Sequence, residues 1–444
     1  MKSTHTTMSR RAFIKNTAVT VAVPHIVSAS ALGKNGQTAA SNRITMGLIG
    51  LGSMGMRHAD GFLQETDCRI AAVCDVDAKR RLAGVQKINR HYGSADCAGY
   101  NDFRTLIARD DIDTLCISVP DHWHAVIALA GIRAGKDIYG EKPLALTIRE
   151  GRAIVEAVNR YKCVWQTGSW QRSTDHFRFA CELVRNERIG RLKKVEVGIG
   201  PGFKPAGGAE TVYRIDSQPQ MPIPDGFDYE LWLGPAPWAP YTENRCHWNF
   251  RWILDYSGGQ VTDWGAHHID IAHWGMNCDD TGPVEVQGTG VFPQDGLWNA
   301  AVDYDFECAY SDSLVMRVAS NNHLPQGVHF IGDTGWVHVT RAGLKTSPAN
   351  LRKTTIGPDD IHLPRPAGDH RQGHRRDFLD CVKTRGRTIS PVEVGQRSAT
   401  VAHLGNIAMI CGRKMRWDAE KEQIIGDPSA NRILSCALRS PWRL

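Results

Sequence analysis

At 444 residues, with 42% hydrophobic and 23% charged residues, the chain has the balance of a globular protein with room for two cores. The formal charge is +6, but four of those charges (Lys2, Arg10, Arg11 and Lys15, with no acid among residues 1–31) sit at the start, leaving about +2 for the rest. That balance gives no basis for a nucleic-acid partner, and no apolar run is long enough to span a bilayer or act as a membrane anchor.

The first 31 residues read as an export signal. Ser9-Arg10-Arg11-Ala12-Phe13-Ile14-Lys15 is a twin-arginine pattern, Ala18 to Val23 is mildly apolar, and Ala29-Ser30-Ala31 offers a small-residue cleavage site. The expected compartment is the periplasm, reached through the twin-arginine (Tat) machinery, which carries folded proteins. Twelve cysteines are scattered without a C-x-x-C pair, and Cys74, Cys116 and Cys163 fall inside apolar strand runs, where they read as small core residues.

Ile44 to Ile49 is a short apolar run that ends in G-x-G-x-x-G, made by Gly50, Gly52 and Gly55, and an amphipathic stretch from Met56 to Leu63 follows. Strand, tight turn and helix in that order predict a dinucleotide site, with Ser53 and Met54 opening the helix and offering N–H groups to the phosphates. Arg69 to Asp75 is a second strand, and Asp75 lies 20 residues beyond Gly55, where a carboxylate accepts hydrogen bonds from the ribose hydroxyls. Asp75 favours NAD, while Lys79, Arg80 and Arg81 keep NADP open.

A helix over Ala78–Tyr92 precedes the apolar strand Asp113–Val119. Pro120-Asp121 opens a helix to Ala134, and Lys136–Tyr139 begins another strand. Thr147 and Glu150 form a capping box for a helix to about Tyr161, and Cys163–Thr167 is one more strand. The alternation predicts a doubly wound parallel sheet over residues 43–167. Ligands bind at the carboxyl ends of such strands, which makes Pro120, His124, Glu141 and Lys142 candidates.

Past residue 168 the pattern changes. A helix over Asp175–Asn186 leads to strand-like runs at 192–199, 284–291, 301–310, 313–319 and 336–340. Strands without intervening helices predict an α+β domain with a mostly antiparallel sheet over 168–444, closed by helices at 375–383 and 394–411. Eight of the thirteen tryptophans lie between Trp165 and Trp274. Core packing explains some. Trp170, Trp238 and Trp248 sit among polar residues, as rings that stack on a sugar do.

Two elements carry chemistry. In Glu141-Lys142-Pro143, Lys142 would stand near the nicotinamide end of the cofactor and could stabilise a developing alkoxide. In the stretch Gly258 to Trp274, a helix places Asp263 and His267 four residues apart on one face, where a carboxylate can orient a histidine that takes a hydroxyl proton. A capping role for Asp263 is the alternative. His267, His268, Asp270 and His273 could ligate a metal. Adjacent histidines point about a quarter-turn apart on a helix, so no metal site is assigned.

G-x-G-x-x-G, E-K-P and G-G-x-x-x-D-x-G-x-H in this order resemble the Gfo/Idh/MocA family of oxidoreductases. The resemblance covers nearly everything after residue 43. It implies an N-terminal Rossmann domain, a C-terminal domain with a large open sheet, and NAD(P)-dependent chemistry on sugars, inositols or their derivatives. It implies catalytic roles for Lys142, Asp263 and His267, with His268 an extra histidine beside the usual position. Trp170, Arg172 and His268 complete the substrate candidates. The Trp-rich segment 200–259 exceeds the family pattern and is expected to set the substrate. The expected function is a sugar or glycoside dehydrogenase with a tightly held cofactor, assembled as a dimer or tetramer. An NAD-dependent glycosidase and a non-catalytic sugar sensor are the alternatives.

Overall fold

The computed structural model describes residues 39, 42–202, 219–311, 313–368 and 370–444, so the signal read at 1–31 lies outside them. The first half runs β1 (Ile44–Ile49), α1 (Ser53–Phe62), β2 (Cys68–Cys74), α2 (Ala78–Tyr92), β3 (Ala98–Tyr100), α3 (Phe103–Ile107), β4 (Thr114–Ile117), α4 (Asp121–Arg133), β5 (Asp137–Gly140), α5 (Ile148–Tyr161) and β6 (Trp165–Thr167). The six strands form one sheet in the order β3-β2-β1-β4-β5-β6, every neighbouring pair parallel. A parallel sheet is covered on both faces, so its strands read as continuous apolar runs, and all four residues of β4 and of β5 are buried. The order reverses between β1 and β4, which opens a crevice at their carboxyl ends. Thr147 caps α5 with the reciprocal Glu150 bond expected of a capping box.

The second half begins with α6 (Asp175–Arg185) and β7 (Leu192–Ile199), continues through the short α7 (Tyr229–Leu233), and reaches α8 (Gln260–Asp263) and α9 (Gly265–Met276). Six strands follow: β8 (Glu285–Val291), β9 (Asp303–Ala309), β10 (Val315–Ser320), β11 (Gly327–Gly332), β12 (Trp336–Thr340) and β13 (Gly343–Ser347). The helices α10 (His370–Thr384) and α11 (Val392–Cys411) precede β14 (Met415–Asp418) and β15 (Gln423–Ile424). The nine strands join in the order β13-β12-β11-β7-β10-β9-β8-β14-β15, antiparallel except for the parallel pair β7–β10.

One face of this sheet is apolar. Val195, Val197, Met316, Val318, Phe330 and Val337 pack in a single cluster with Phe177 of α6, Ile269 and Ile271 of α9 and Leu404 of α11. The opposite face carries ion pairs such as Lys194–Glu196 and Arg317–Asp305. Helix α10 returns to the first domain, where Arg376 pairs with Glu65 and Asp67, each at 2.7 Å.

Two features set the site. The segment after residue 219 is pinned to the first domain at its strand ends: Ala78 N–H donates to Gly226 O at 2.9 Å, Asp228 N–H to Val76 O at 3.0 Å, and Trp123 Nε1 to Trp232 O at 2.9 Å. The helix expected to run unbroken from Asp263 through Trp274 is interrupted at Trp264, so α8 and α9 are separate pieces.

Candidate active site

The carboxyl ends of β1, β2, β4 and β5 converge on one cleft of about 290 Å³, lined by Gly50, Gly52, Ser53, Met54, Asp75, Pro120, Glu141, Lys142 and Asp263. The turn after β1 needs its glycines. Gly50 has φ +88°, and a Cβ there would lie 2.3 Å from Ser118 O. A Cβ on Gly55 would lie 1.9 Å from Gly50 O, so only glycine lets α1 approach the strand this closely. No side chain caps α1, which leaves its first N–H groups for an anion.

Asp75 is fixed by two main-chain donors, Leu51 N–H to Oδ2 at 2.7 Å and Asp77 N–H to Oδ1 at 2.9 Å. Burial pushes its carboxyl upward, against the pull of those two donors. Of the nearby cations, Arg81 gives Nη1 to Asp75 O at 2.6 Å and to Asn101 Oδ1 at 3.1 Å, while Arg80 lines the cleft. A glycine cradle, an uncapped helix start and a braced carboxylate at the second strand fit a dinucleotide.

Residues 227–251 wall the other side, through Phe227, Leu231, Trp232, His247, Trp248, Phe250 and Arg251. The Trp-rich segment is therefore partly core and partly cleft wall. Trp232, Trp252 and Trp274 are buried, Trp248 stands 56% exposed on the cleft, and Trp238 is exposed away from it.

Glu141 is buried, and its Oε1 accepts from His58 Nε2 at 2.8 Å while its Oε2 accepts the Lys142 N–H at 3.2 Å. Burial pushes Glu141 up, but the His58 bond and the Lys142 charge outweigh it and hold the carboxyl below its ordinary value. Lys142 gives its ammonium to the Asp263 carboxylate and, at 3.1 Å, to the Asp263 carbonyl. Arg251 Nε lies 3.6 Å from the same carboxylate. Burial raises Asp263, but the Lys142 and Arg251 charges win and keep it ionised.

His267 lies on α9, buried, between the rings of Trp170 (6.2 Å) and Trp264 (6.4 Å). Its Nδ1 has no hydrogen-bond partner among the described residues. Burial, and then the Lys142 and Arg341 charges, hold it well below the ordinary histidine range, so the imidazole is neutral. Asp263 therefore does not orient His267 as the four-residue spacing predicts. Its carboxylate is held by Lys142 and Arg251 instead.

Three other expectations need correcting. His124 does not line the cleft: its ring nitrogens face Pro143 O at 2.7 Å and Val119 O at 3.0 Å, so it ties the two strand-end loops together. Arg172 is buried in the second domain, paired with Asp270 at 2.9 Å and Asp279 at 2.7 Å and stacked on Trp274 at 5.0 Å. With its donors spent on protein, it is a packing residue. His268 points its Nδ1 at Gln171 Nε2 (3.3 Å) and carries a buried, unpartnered Nε2, while burial and Arg341 push it down to about 3. Trp170 is half of what the sequence suggested, a ring beside His267 but one covered by Arg341 and Arg371.

Sequence reasoning missed His58, Arg251, Arg341 and Arg371. The run Trp248-Asn249-Phe250-Arg251 could have flagged Arg251, since its guanidinium stacks on Trp248 at 4.3 Å and Phe250 at 4.6 Å. His58 and Arg341 carry no local signal, and Arg371 lies in the basic run His370–Arg376, where nothing singles it out.

Family profiles divide the chain at the same place as the fold. A GFO_IDH_MocA profile, described as "Oxidoreductase family, NAD-binding Rossmann fold", matches residues 44–169, and its companion, "Oxidoreductase family, C-terminal alpha/beta domain", matches 182–444. A "Glycosyl hydrolase family 109 protein" of Shewanella sp. (strain W3-18-1) is 34% identical over 120 residues, 26% of this chain and 26% of that protein. An "Alpha-N-acetylgalactosaminidase" of Shewanella oneidensis is 32% identical over 120 residues, again 26% of each. The matched stretch thus spans about a quarter of these relatives. Among solved structures, an aldose–aldose oxidoreductase from Caulobacter crescentus superposes with TM-score 0.62 at 17% identity, covering 84% of this chain and 99% of that one. The WlbA dehydrogenase from Bordetella pertussis, in complex with NADH and UDP-GlcNAcA, gives 0.59 at 15% identity, covering 85% and 99%. At these identities the likeness establishes the shared fold.

Proposed function

Since the chain belongs to the GFO_IDH_MocA oxidoreductase family and carries its NAD-binding Rossmann domain, we propose that it oxidises or reduces a carbinol of a sugar, glycoside or related polyol. The observation that carries the reading is the Lys142–Asp263 ion pair in the first domain's cleft, close enough to the neutral His267 for the Lys142 charge to act on it. NAD, when bound, supplies the acceptor for the hydride.

The protein's own groups do the rest. The glycine turn, the start of α1 and Asp75 hold the dinucleotide. Glu141, braced by His58, fixes the backbone at Lys142. Lys142 donates to the reacting oxygen and stabilises charge as it develops. His267 is unprotonated at neutral pH and takes the hydroxyl proton, a role its unpartnered Nδ1 suits. Asp263 keeps the lysine ammonium in place. Loss of sugar-dependent NAD reduction in both Lys142→Ala and His267→Ala is the expected result; full turnover in both would reject the assignment.

A second reading is supported by the glycosidase relatives, which match over 120 residues. Transient oxidation of a ring carbinol would acidify the neighbouring C–H, so that an aglycone leaves by elimination, water adds, and the sugar is reduced again. Release of an aglycone from a glycoside without accumulation of NADH distinguishes it.

Export through the twin-arginine route to the periplasm is part of the proposal, supported by Arg10-Arg11 and the small-residue site at Ala29-Ser30-Ala31. A cofactor retained through export and recycled within each turnover suits a compartment poor in free nucleotide. Homo-oligomerisation is proposed through the polar face of the nine-stranded sheet, and light scattering on the purified protein tests it.

A further inference from the structure

Two arginines near His267 have no acidic partner within ion-pair distance among the described residues. Arg341 follows β12 and lays its guanidinium carbon 4.0 Å from the Trp264 ring centre and 4.7 Å from that of Trp170. Arg371, in the first turn of α10, stands 4.5 Å from the Trp170 ring. The first is steered by Gln171, whose Oε1 accepts from Arg341 Nε at 3.0 Å and whose Nε2 donates to His267 O at 3.2 Å. One buried glutamine thus fixes Arg341 and α9 relative to each other.

The nearby carboxylates are committed elsewhere. Asp263 is paired with Lys142 and Arg251, and Glu141 with His58. Among the described residues the buried Arg371 Nε has no hydrogen-bond partner, and neither do His267 Nδ1 and His268 Nε2. Two guanidiniums held against one indole repel each other, and burial adds to the cost. Arg172, fully buried elsewhere in this fold, has two carboxylates, whereas Arg341 and Arg371 are half-buried and have no such pair among the described residues. Two positive charges without a direct ion pair among the described residues, beside a reacting histidine, suit an anion, which a guanidinium fork binds bidentately.

We propose that the substrate is an anionic sugar, whose carboxylate or sulfate group is held by Arg341 and Arg371 over Trp170 while its carbinol faces Lys142 and His267. This rests on the dehydrogenase-type reading of the same site. It makes Arg341 and Arg371 the residues that choose the substrate.

The test is calorimetric titration of the NADH-loaded protein with paired probes: glucuronate and galacturonate, glucose 6-sulfate, and neutral glucose and galactose. At least one acidic sugar should bind about tenfold or more tightly than its neutral parent, the scale of a charge-assisted hydrogen bond. Preference for the uronates names a carboxylate, and preference for the 6-sulfate names a sulfate. Arg341→Gln and Arg371→Gln should each lose that preference while NADH affinity and melting temperature stay unchanged. Arg371→Lys, which keeps the charge without the fork, should restore part of it. Neutral sugars binding as well as acidic ones, no acidic sugar binding at all, or a preference that survives both glutamine variants would overturn the proposal. A protein that fails to take up NADH would instead point to an error in the cofactor reading, which these variants do not touch.

Discussion

Lys142, one residue past the buried Glu141 at the end of β5, reaches across to α8 and forms an ion pair with Asp263, donating to both its carboxylate and its carbonyl. The pair joins the two domains at the point where the cleft ends. Replacing Lys142 by Met keeps the stem and removes the charge. It is expected to lower kcat by about 10²–10³, the usual loss for a preorganised donor to a developing oxyanion, with NADH affinity little changed. Stopped-flow turnover and NADH titration together check this. A variant that loses only cofactor affinity would place Lys142 outside the chemistry.

The state of His267 sets the acid limb of the rate profile. Its folded pKa lies well below 6.5, because of burial and then the Lys142 and Arg341 charges. The neutral base therefore persists at pH values where a free imidazole is protonated. The acid limb of kcat/KM should fall below pH 6.5. An acid limb at or above 6.5 that disappears in His267→Gln would show that the histidine is solvated in the working enzyme.

Stability should fall in acid for a related reason. Burial holds His122, His273, His374 and His403 each down to about 4. A histidine whose folded pKa is depressed leaves the unfolded chain binding more protons, so its contribution is full above 6.5 and is lost as pH falls toward 4. Each such group costs on the order of 2 kcal/mol between pH 6.5 and 5. Glu150 and Asp270, raised by burial to about 7 and about 6, act in the opposite sense but are fewer. Urea midpoints measured at pH 7.5 and 5 should drop with acid, and equal midpoints would contradict the balance.

The first domain was readable from sequence because its signals are local. A strand covered on both faces is apolar throughout, and Gly50, Gly52 and Gly55 are required by backbone approach rather than by distant partners. The capping box at Thr147–Glu150 reads the same way. Strands β11, β13, β14 and β15 gave little signal, since short half-exposed strands with polar outer faces have little periodicity. In the site, Asp75, Pro120, Glu141 and Lys142, read from strand ends, line the cleft, whereas His124, read the same way, does not. What failed was the pairing inferred from helical spacing, because Asp263 is held by Lys142 from the other domain rather than facing His267. Arg172 misled because an arginine next to Trp170 reads alike whether it faces a ligand or Asp270 and Asp279.

Arg172 gives a prediction of the structural kind. Arg172→Met should leave Asp270 buried and unpaired and destabilise the fold by about 3–5 kcal/mol, the usual cost of breaking a buried pair. Chemical denaturation measures it. Normal stability with a selectively raised KM would return Arg172 to the substrate.

Asp75 governs the choice of nucleotide. Asp75→Ser removes the carboxylate that would repel a 2′-phosphate and leaves Arg80 on the cleft. The ratio of NADPH to NADH affinity should rise by at least about tenfold, the scale of one charge–charge contact in a partly buried site. Fluorescence titration with both nucleotides gives the ratio, and an unchanged value would take Asp75 away from the ribose.

Transfer of deuterium tests the central claim most directly. The protein with NAD is incubated with perdeuterated sugars, neutral and acidic, and the nucleotide is recovered and weighed by mass spectrometry. With the wild-type chain quenched during turnover, hydride chemistry at a carbinol predicts reduced nicotinamide heavier by one deuterium, a label that a transiently oxidised sugar takes back at the end of its cycle. Lys142→Met and His267→Ala should give none. A nucleotide that stays light with every sugar, or that gains deuterium equally in the variants, would contradict the assignment of this cleft as the site of redox chemistry.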